Sequence, residues 1–264
     1  MILNNVLITG GSSGIGLELA KLFLQNGYQC CLVALDDDRL KAVKEDLINL
    51  YPQSRILAYG IDLSADDSAD AVYAFTQDQK FYPDVVINNA GFGTYGLTWE
   101  TDRDTEYKMI NLHVKTLYGL TRHYLQDMVK DDHGIIVNIS SISAFQPSPY
   151  LNTYASTKAF VYHFTRGLQA ELHEKRSNVK AITICPTPVR TNFGEGTSMD
   201  RSGLFQSWLA VDVDMVANSI YDAIIRGKTF RVPGRFYHLL SYVARLLPEW
   251  IQVRIAISTM RPKH

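Results

Sequence analysis

Tyr154 and Lys158 stand four residues apart in the run Tyr154-Ala155-Ser156-Thr157-Lys158. On a helix that spacing stacks the two side chains on one face. A phenol titrates at about 10, too high for a base at neutral pH, and a nearby ammonium stabilises its anion. The pair is therefore a candidate acid/base couple, although such pairs also arise on helices by chance. Ser141 lies thirteen residues before Tyr154, at the end of an apolar run. Its hydroxyl reaches the same substrate oxygen if the loop between them folds back.

A second cluster sits near the start. Thr9-Gly10-Gly11-Ser12-Ser13-Gly14-Ile15-Gly16 follows the apolar Val6-Leu7-Ile8 and opens a helical pattern of Ile15, Leu19, Leu22 and Phe23. Glycines there permit a tight turn and a close approach to a pyrophosphate, and the helix start offers it free amides. Asp62, just past a third apolar run, is placed to accept from an adenine amino group. Asn88-Asn89-Ala90-Gly91 ends a fourth run at the same edge. These features predict a dinucleotide cofactor. Its type turns on Ala34-Leu35-Asp36-Asp37-Asp38-Arg39, where three carboxylates precede the first basic residue. Carboxylates at the end of the second strand bond ribose hydroxyls and repel a 2'-phosphate, which favours NAD over NADP. The same acids also suit an ordinary helix start.

The elements that must hold these groups alternate. Strands are expected at residues 6–8, 30–34, 55–61, 84–87, 134–139 and 179–184. Helices are expected after the glycine turn and at residues 36–50, 66–79, 103–130 and 154–176. This rhythm predicts an α/β fold with a mostly parallel sheet covered on both faces. No clear break divides it, so residues 1–264 read as a single catalytic domain. Residues 192–212 are irregular, with Gly194, Gly196 and Gly203, and read as a lid near the site.

These motifs together resemble the short-chain dehydrogenase/reductase family over residues 1 to about 191. The resemblance rests on Thr9-Gly10-x-x-x-Gly14-Ile15-Gly16, Asn88-Asn89-Ala90-Gly91, Asn111, Ser141, Tyr154-x-x-x-Lys158 and Pro186-Thr187-Pro188-Val189-x-Thr191. It implies a Rossmann-type doubly wound fold with seven parallel strands. It implies Tyr154 as acid/base, Ser141 holding the substrate oxygen, and Lys158 binding the nicotinamide ribose and depressing the Tyr154 pKa. Asn111 would position Lys158 through a water. Cofactor contacts would come from Gly10, Ser12, Ser13, Gly14, Ile15, Gly16, Leu35, Asp36, Asp62, Leu63, Asn89, Ala90, Gly91, Pro186, Val189 and Thr191, besides Tyr154 and Lys158. Dimers or tetramers are common in the family, through helices that include the one bearing Tyr154.

The chain departs from the family pattern in places. Thr187 stands where the family usually has Gly, and Ala34 where the Asp most favourable to NAD would be. Neither Ser13 nor Leu35 is basic, unlike their counterparts in NADP users. Against this, Phe92-Gly93 and the Tyr154–Phe160 segment are similar to a subgroup with many NADP users.

Composition bounds the rest. The 264 residues are 46% hydrophobic and 11% aromatic, with a net charge of -1, which predicts a globular protein with no nucleic-acid partner. Cys30, Cys31 and Cys185 are odd in number and lack metal or redox spacing, which predicts a reducing, cytoplasmic setting. No signal segment or membrane-spanning run is evident. No metal is expected. His163 and His173 have no ligand spacing, and His133 sits in a turn. His113, turned away from Asn111 on a helix, reads as structural or surface.

The substrate end, drawn from Phe145, Tyr150, Phe193, Leu204, Phe205, Trp208 and Leu209, is apolar despite Arg190 and Arg201 nearby. A hydrophobic ketone or secondary alcohol fits it. An NADP-dependent carbonyl or 3-oxoacyl reductase and a non-catalytic dinucleotide sensor are the alternatives. From residue 226 onward there are eight Lys or Arg against one Asp or Glu. Residues 236–260 carry Phe236, Leu239, Leu240, Val243, Leu246 and Leu247 at helical spacing, then Pro248, then Trp250, Ile251, Arg254, Ile255 and Ile257. That segment covers the site or meets a partner subunit, lies on a membrane surface, or is an ordinary closing helix of the fold.

Overall fold

A computed structural model describes residues 4–191, 193, 198–199, 210–234 and 246–261. The expected lid residues Leu204, Phe205, Trp208 and Leu209, with Arg201 and the three glycines of that stretch, lie outside the described residues. So do Phe236, Leu239, Leu240 and Val243 of the C-terminal segment.

The chain opens with strand β1 (Asn5–Thr9), helix α1 (Gly14–Gln25), β2 (Gln29–Ala34), α2 (Asp38–Leu50), β3 (Ile56–Gly60), α3 (Ser68–Asp78) and β4 (Val85–Asn88). Helix α4 (Arg103–Ile110) runs through a π-helical turn, Asn111–Thr116, into α5 (Leu117–Asp131). Then follow β5 (Ile135–Ile139), a 3₁₀ turn (Ile142–Phe145), α6 (Asn152–Glu174) and β6 (Lys180–Ile184). Short strands β7 (Val189–Arg190) and β8 (Val211–Asp212), α7 (Val213–Ile225), β9 (Phe230–Arg231) and α8 (Glu249–Met260) complete the described elements. The main sheet has seven parallel strands in the order β3-β2-β1-β4-β5-β6-β9, and β7 pairs with β8 apart from it. This is the expected doubly wound architecture.

The strands are apolar on both faces because both faces are covered. Val6, Ile8, Cys30, Leu32, Val85 and Ile87 join one core, with α1 and α7. Their neighbours Leu7, Cys31, Val33 and Val86 join another, with α3, α5 and α6. Alternate side chains point to opposite faces, so a continuous apolar run fits a strand buried on both sides. The chain order reverses between β1 and β4, which opens a crevice at the carboxyl ends of these central strands.

A buried polar chain ties the central strands to the helices that carry the site. Asn88 Nδ2 donates to Asn138 Oδ1 at 2.8 Å and to Thr121 Oγ1 at 3.2 Å. Asn138 Nδ2 donates to Thr165 Oγ1 at 2.9 Å. Such groups are costly when buried without partners and hold a fixed register when paired. Asn138→Ala strands partners on β4 and α6 at once. It is expected to lower the unfolding free energy by about 3 kcal/mol, measured by urea denaturation.

Candidate active site

The carboxyl end of β5 and the start of α6 are stapled together by reciprocal bonds. Ser140 Oγ donates to the Lys158 carbonyl at 2.7 Å, and Lys158 Nζ donates to the Ile139 carbonyl at 3.0 Å. The first-turn face of α6 is thereby pressed against the strand end. Ser141, the next residue, caps the 3₁₀ turn by accepting from the Ser143 amide at 3.2 Å, and its side chain is hydrogen-bonded to Tyr154. The loop does fold back, and Ser141, Tyr154 and Lys158 line one pocket.

Tyr154 is clamped on several sides. Lys158 Nζ lies 5.7 Å from its ring centroid, and the Phe193 ring meets it edge-on at 5.9 Å. The expected lowering of the Tyr154 pKa by the ammonium is set against the burial of both groups. Burial pushes Tyr154 up to about 12, against the lowering effect of the Ser141 hydrogen bond. Burial also pushes Lys158 down to about 8. Burial disfavours the charged form of each group.

Asn111 opens the π-helical turn, and its Nδ2 donates to the Ser64 carbonyl at 3.3 Å. Asn111 and Lys158 thus hold different backbone carbonyls, Ser64 and Ile139. Of the two roles expected for His113, structural or surface, the structure shows it buried. It is turned away from Asn111 as expected, but that direction leads into α6. Its side chain is 1% exposed, and its ring meets Tyr154 edge-on at 5.8 Å.

At the other end of the crevice the glycine turn has the predicted form. Gly10 and Gly14 have φ of +66° and +52°, and a Cβ on Gly16 would lie 2.1 Å from the Gly10 carbonyl. The first turn of α1 carries no acidic residue, and Ser13 at its start makes no side-chain capping bond. Those amides are therefore left to a ligand, which is what a pyrophosphate needs. Thr9 builds the neighbouring corner: its Oγ1 accepts from the amides of Asn89 and Ala90 at 2.9 and 3.0 Å. Asn89 Nδ2 donates back to the Thr9 carbonyl at 2.9 Å. These residues fit a dinucleotide.

The acids after β2 divide. Asp37 caps α2 by accepting from the Leu40 amide at 2.9 Å, and Asp38 lies in its first turn, 3.9 Å from Lys41 Nζ. Only Asp36 packs at the strand end, against Gly60. The electrostatic case for NAD thus rests on one carboxylate and not three. Leu35 is exposed, whereas Leu63 is buried in the core. Asp62 accepts from the Ser64 amide and hydroxyl at 2.8 and 2.7 Å, and the Ser64 hydroxyl bond holds its carboxyl below its ordinary range.

Of the remaining expected contacts, Ile15, Asn89, Pro186, Val189 and Thr191 line the pocket. Thr187 lines it too, with its Oγ1 buried and unpartnered. The substrate end holds residues that spacing alone did not reveal. Met199 and Met260 form part of its wall with Leu151 and Phe193. Tyr95 fixes that wall, its hydroxyl donating to the Met260 carbonyl and its amide to Ser198 Oγ at 2.7 Å. The end of α8 thus reaches the pocket, as one reading of the C-terminal segment expected.

Comparison with known proteins agrees with this geometry. A family model described as short chain dehydrogenase matches residues 4–202. Serine 3-dehydrogenase of Agrobacterium fabrum is 29% identical over 222 residues, which cover 82% of this chain and 86% of the relative. The 3-oxoacyl-(acyl-carrier-protein) reductase FabG of Chlamydia muridarum is 30% identical, covering 77% of this chain and 79% of the relative. Among solved structures, a short-chain dehydrogenase from Sphingobium yanoikuyae in complex with NADPH has a TM-score of 0.80 at 27% identity. That match covers 91% of this chain and 93% of the other.

The buried ammonium has a measurable signature. Unfolded, Lys158 keeps its proton up to its ordinary value of 10.5; folded, only up to about 8. At this residue the unfolded state binds more protons between those values, so the Lys158 contribution to stability rises with pH across that window. In Lys158→Met this contribution is expected to disappear, read as the difference from the wild type across the window. At about pH 7 its urea midpoint should be no lower than that of the wild type, while turnover falls by about 100-fold or more.

Proposed function

Given that the chain belongs to the short-chain dehydrogenase family and is an oxidoreductase, we propose that it interconverts an apolar ketone and its secondary alcohol, with Tyr154 as the proton-transferring group. The observation that carries this reading is the meeting of Ser141, Tyr154 and Lys158 in one pocket that leads toward the uncapped start of α1. A bound nicotinamide dinucleotide supplies or accepts the hydride. The protein's own part is to orient the substrate and manage the proton and charge on its oxygen. Ser141 and Tyr154 stand where both hydroxyls can donate to a developing oxyanion. Burial keeps the Tyr154 proton in place through neutral pH, which suits delivery to that oxygen in the reducing direction. Oxidation asks Tyr154 to accept the proton, and the Lys158 charge then favours the phenolate. Asn111 is assigned the relay of protons past Lys158 through a water.

The cofactor is NAD in this reading, held by Asp36 at the ribose, by Gly10 to Gly16 at the pyrophosphate and by Asp62 with Leu63 at the adenine. Asn89 to Gly91, Pro186, Val189 and Thr191 flank the nicotinamide end. The apolar wall of Leu151, Phe193, Met199 and Met260 supports a hydrophobic substrate. A second reading has one observation in its favour: both named relatives act at carbon 3, one as a 3-dehydrogenase and one as a 3-oxoacyl reductase. It makes the enzyme an NADPH-dependent 3-oxoacyl reductase. Self-association fits the half-exposed aromatic residues Tyr118 and Phe160, which lie on α5 and α6. Three buried thiols fit a cytoplasmic setting. Trp250 on the outside of α8, with Arg254 one turn further on, keeps lipid-surface contact as a second reading for that helix.

Two measurements check these assignments. Tyr154→Phe is expected to bind cofactor within about 3-fold of the wild type and to lose turnover of a bulky ketone by about 100-fold or more. Near-normal turnover in the folded variant removes the assignment. Dissociation constants measured side by side are expected to favour NADH over NADPH by about 10-fold. The reverse order supports the 3-oxoacyl reductase reading.

A further inference from the structure

Behind Tyr154 lies a histidine that the chemistry above does not use. His113 projects from the π-helical turn into α6, and its Nδ1 is 2.9 Å from Thr157 Oγ1. Thr157 Oγ1 in turn donates to the Tyr154 carbonyl at 2.7 Å. A hydroxyl has one proton. With that proton on the Tyr154 carbonyl, Thr157 accepts from His113, which puts the proton on Nδ1 and leaves Nε2 with a bare lone pair. Nε2 is buried and without a hydrogen-bond partner, and it faces Gly91, where an added Cβ would sit 2.6 Å away. Phe92 packs against the same imidazole at 6.3 Å. π-helical turns are rare and gather at functional sites, and this one places a polar ring where an apolar residue would ordinarily pack.

We propose that His113 is a positioning residue for Tyr154, holding the backbone of Tyr154 through Thr157 and the edge of its phenol ring by direct contact. The proposal rests on the reading of Tyr154 as the proton-transferring group. The ring of Tyr154 then has both His113, at 5.8 Å, and Phe193, at 5.9 Å, in T-shaped contact with it. A phenol held this way keeps its hydroxyl aimed at Ser141 while substrate enters. Small misplacements of a reacting group are costly in rate, so this support is felt in turnover and not in binding. The role requires an imidazole that stays neutral. Burial and then the neighbouring Lys158 charge both hold it well below its ordinary range. Among the described residues, the ionisable groups the structure places against it are Lys158 and Tyr154, both on α6. A second cation beside Lys158 in this dry site would be strongly disfavoured.

The test combines spectroscopy on the wild type with kinetics on variants. In protein carrying 15N-labelled histidine, His113 is expected to show a protonated Nδ1 and a bare Nε2, unchanged from about pH 5.5 to 9. His113→Leu is expected to lower kcat by about 10-fold or more, with KM and the NADH dissociation constant within about 3-fold of the wild type. His113→Asn keeps a donor near the Nδ1 position and is expected to recover a good part of that loss. A proton on Nε2, an ordinary titration of His113, or a His113→Leu enzyme with wild-type kcat overturns the proposal. The spectroscopic result decides the matter if the Leu variant does not fold. Tyr154→Phe assayed alongside separates the two readings. Full turnover there removes the parent assignment, whereas an inert Tyr154→Phe beside an unaffected His113→Leu removes this one alone.

Discussion

Lys158 is a long cation folded under the end of a central strand, and its ammonium has a backbone carbonyl for its partner. A charge in such a place is expensive, and the surrounding structure is arranged around tolerating it. The Ile139 carbonyl is available because β5 has just ended and the carbonyl points into the crevice. Ser140 then bonds back to the Lys158 carbonyl, so the helix cannot drift from the strand. The same staple sets the height of Tyr154, one turn earlier on α6, and brings it to Ser141. The dryness that lowers the lysine also raises the tyrosine, and the site so formed holds its proton on the phenol.

The two helices that follow β1 and β2 show how the same edge handles its amides in opposite ways. Helix α2 closes its own start with the Asp37 carboxylate. Helix α1 does not, and its turn is kept thin enough by Gly10, Gly14 and Gly16 for a ligand to come close. An anion is therefore attracted to one helix start and not to the other. Thr9 and Asn89 lock the ends of β1 and β4 into one corner, so the floor beneath that anion is rigid. Cofactor and proton-transfer residues thus lie along one sheet edge, which is where a sheet that reverses its strand order opens.

Much of this was legible in the residues. The period of the apolar runs located the strands to within a residue or so, because strands buried on both faces leave long apolar stretches. The glycine turn and the Tyr154–Lys158 spacing were readable because their geometry is local. What was not readable depended on contacts between distant parts of the chain. His113 was left between a structural and a surface role because spacing says which way a side chain turns, not what it meets there. The π-helical turn at Asn111–Thr116 has no sequence period that marks it. Tyr95 and Met260 are 165 residues apart, and nothing in either suggests the other. Asp37 was ambiguous between a ligand and a cap, and only the bond to the Leu40 amide decides it. The upward push of burial on Tyr154 was not readable, because the spacing shows the lysine's proximity but not the surroundings of either group.

The central claim is that burial keeps Tyr154 protonated through the working pH range. An ultraviolet difference titration of wild type against Tyr154→Phe isolates this one phenol among the fifteen tyrosines. With the Tyr154 pKa near about 12, the two proteins should give the same phenolate absorbance from about pH 7 to 10. An extra phenolate in the wild type with a midpoint inside that interval would contradict the account. It would show that the Lys158 charge, and not the dry pocket, governs the tyrosine.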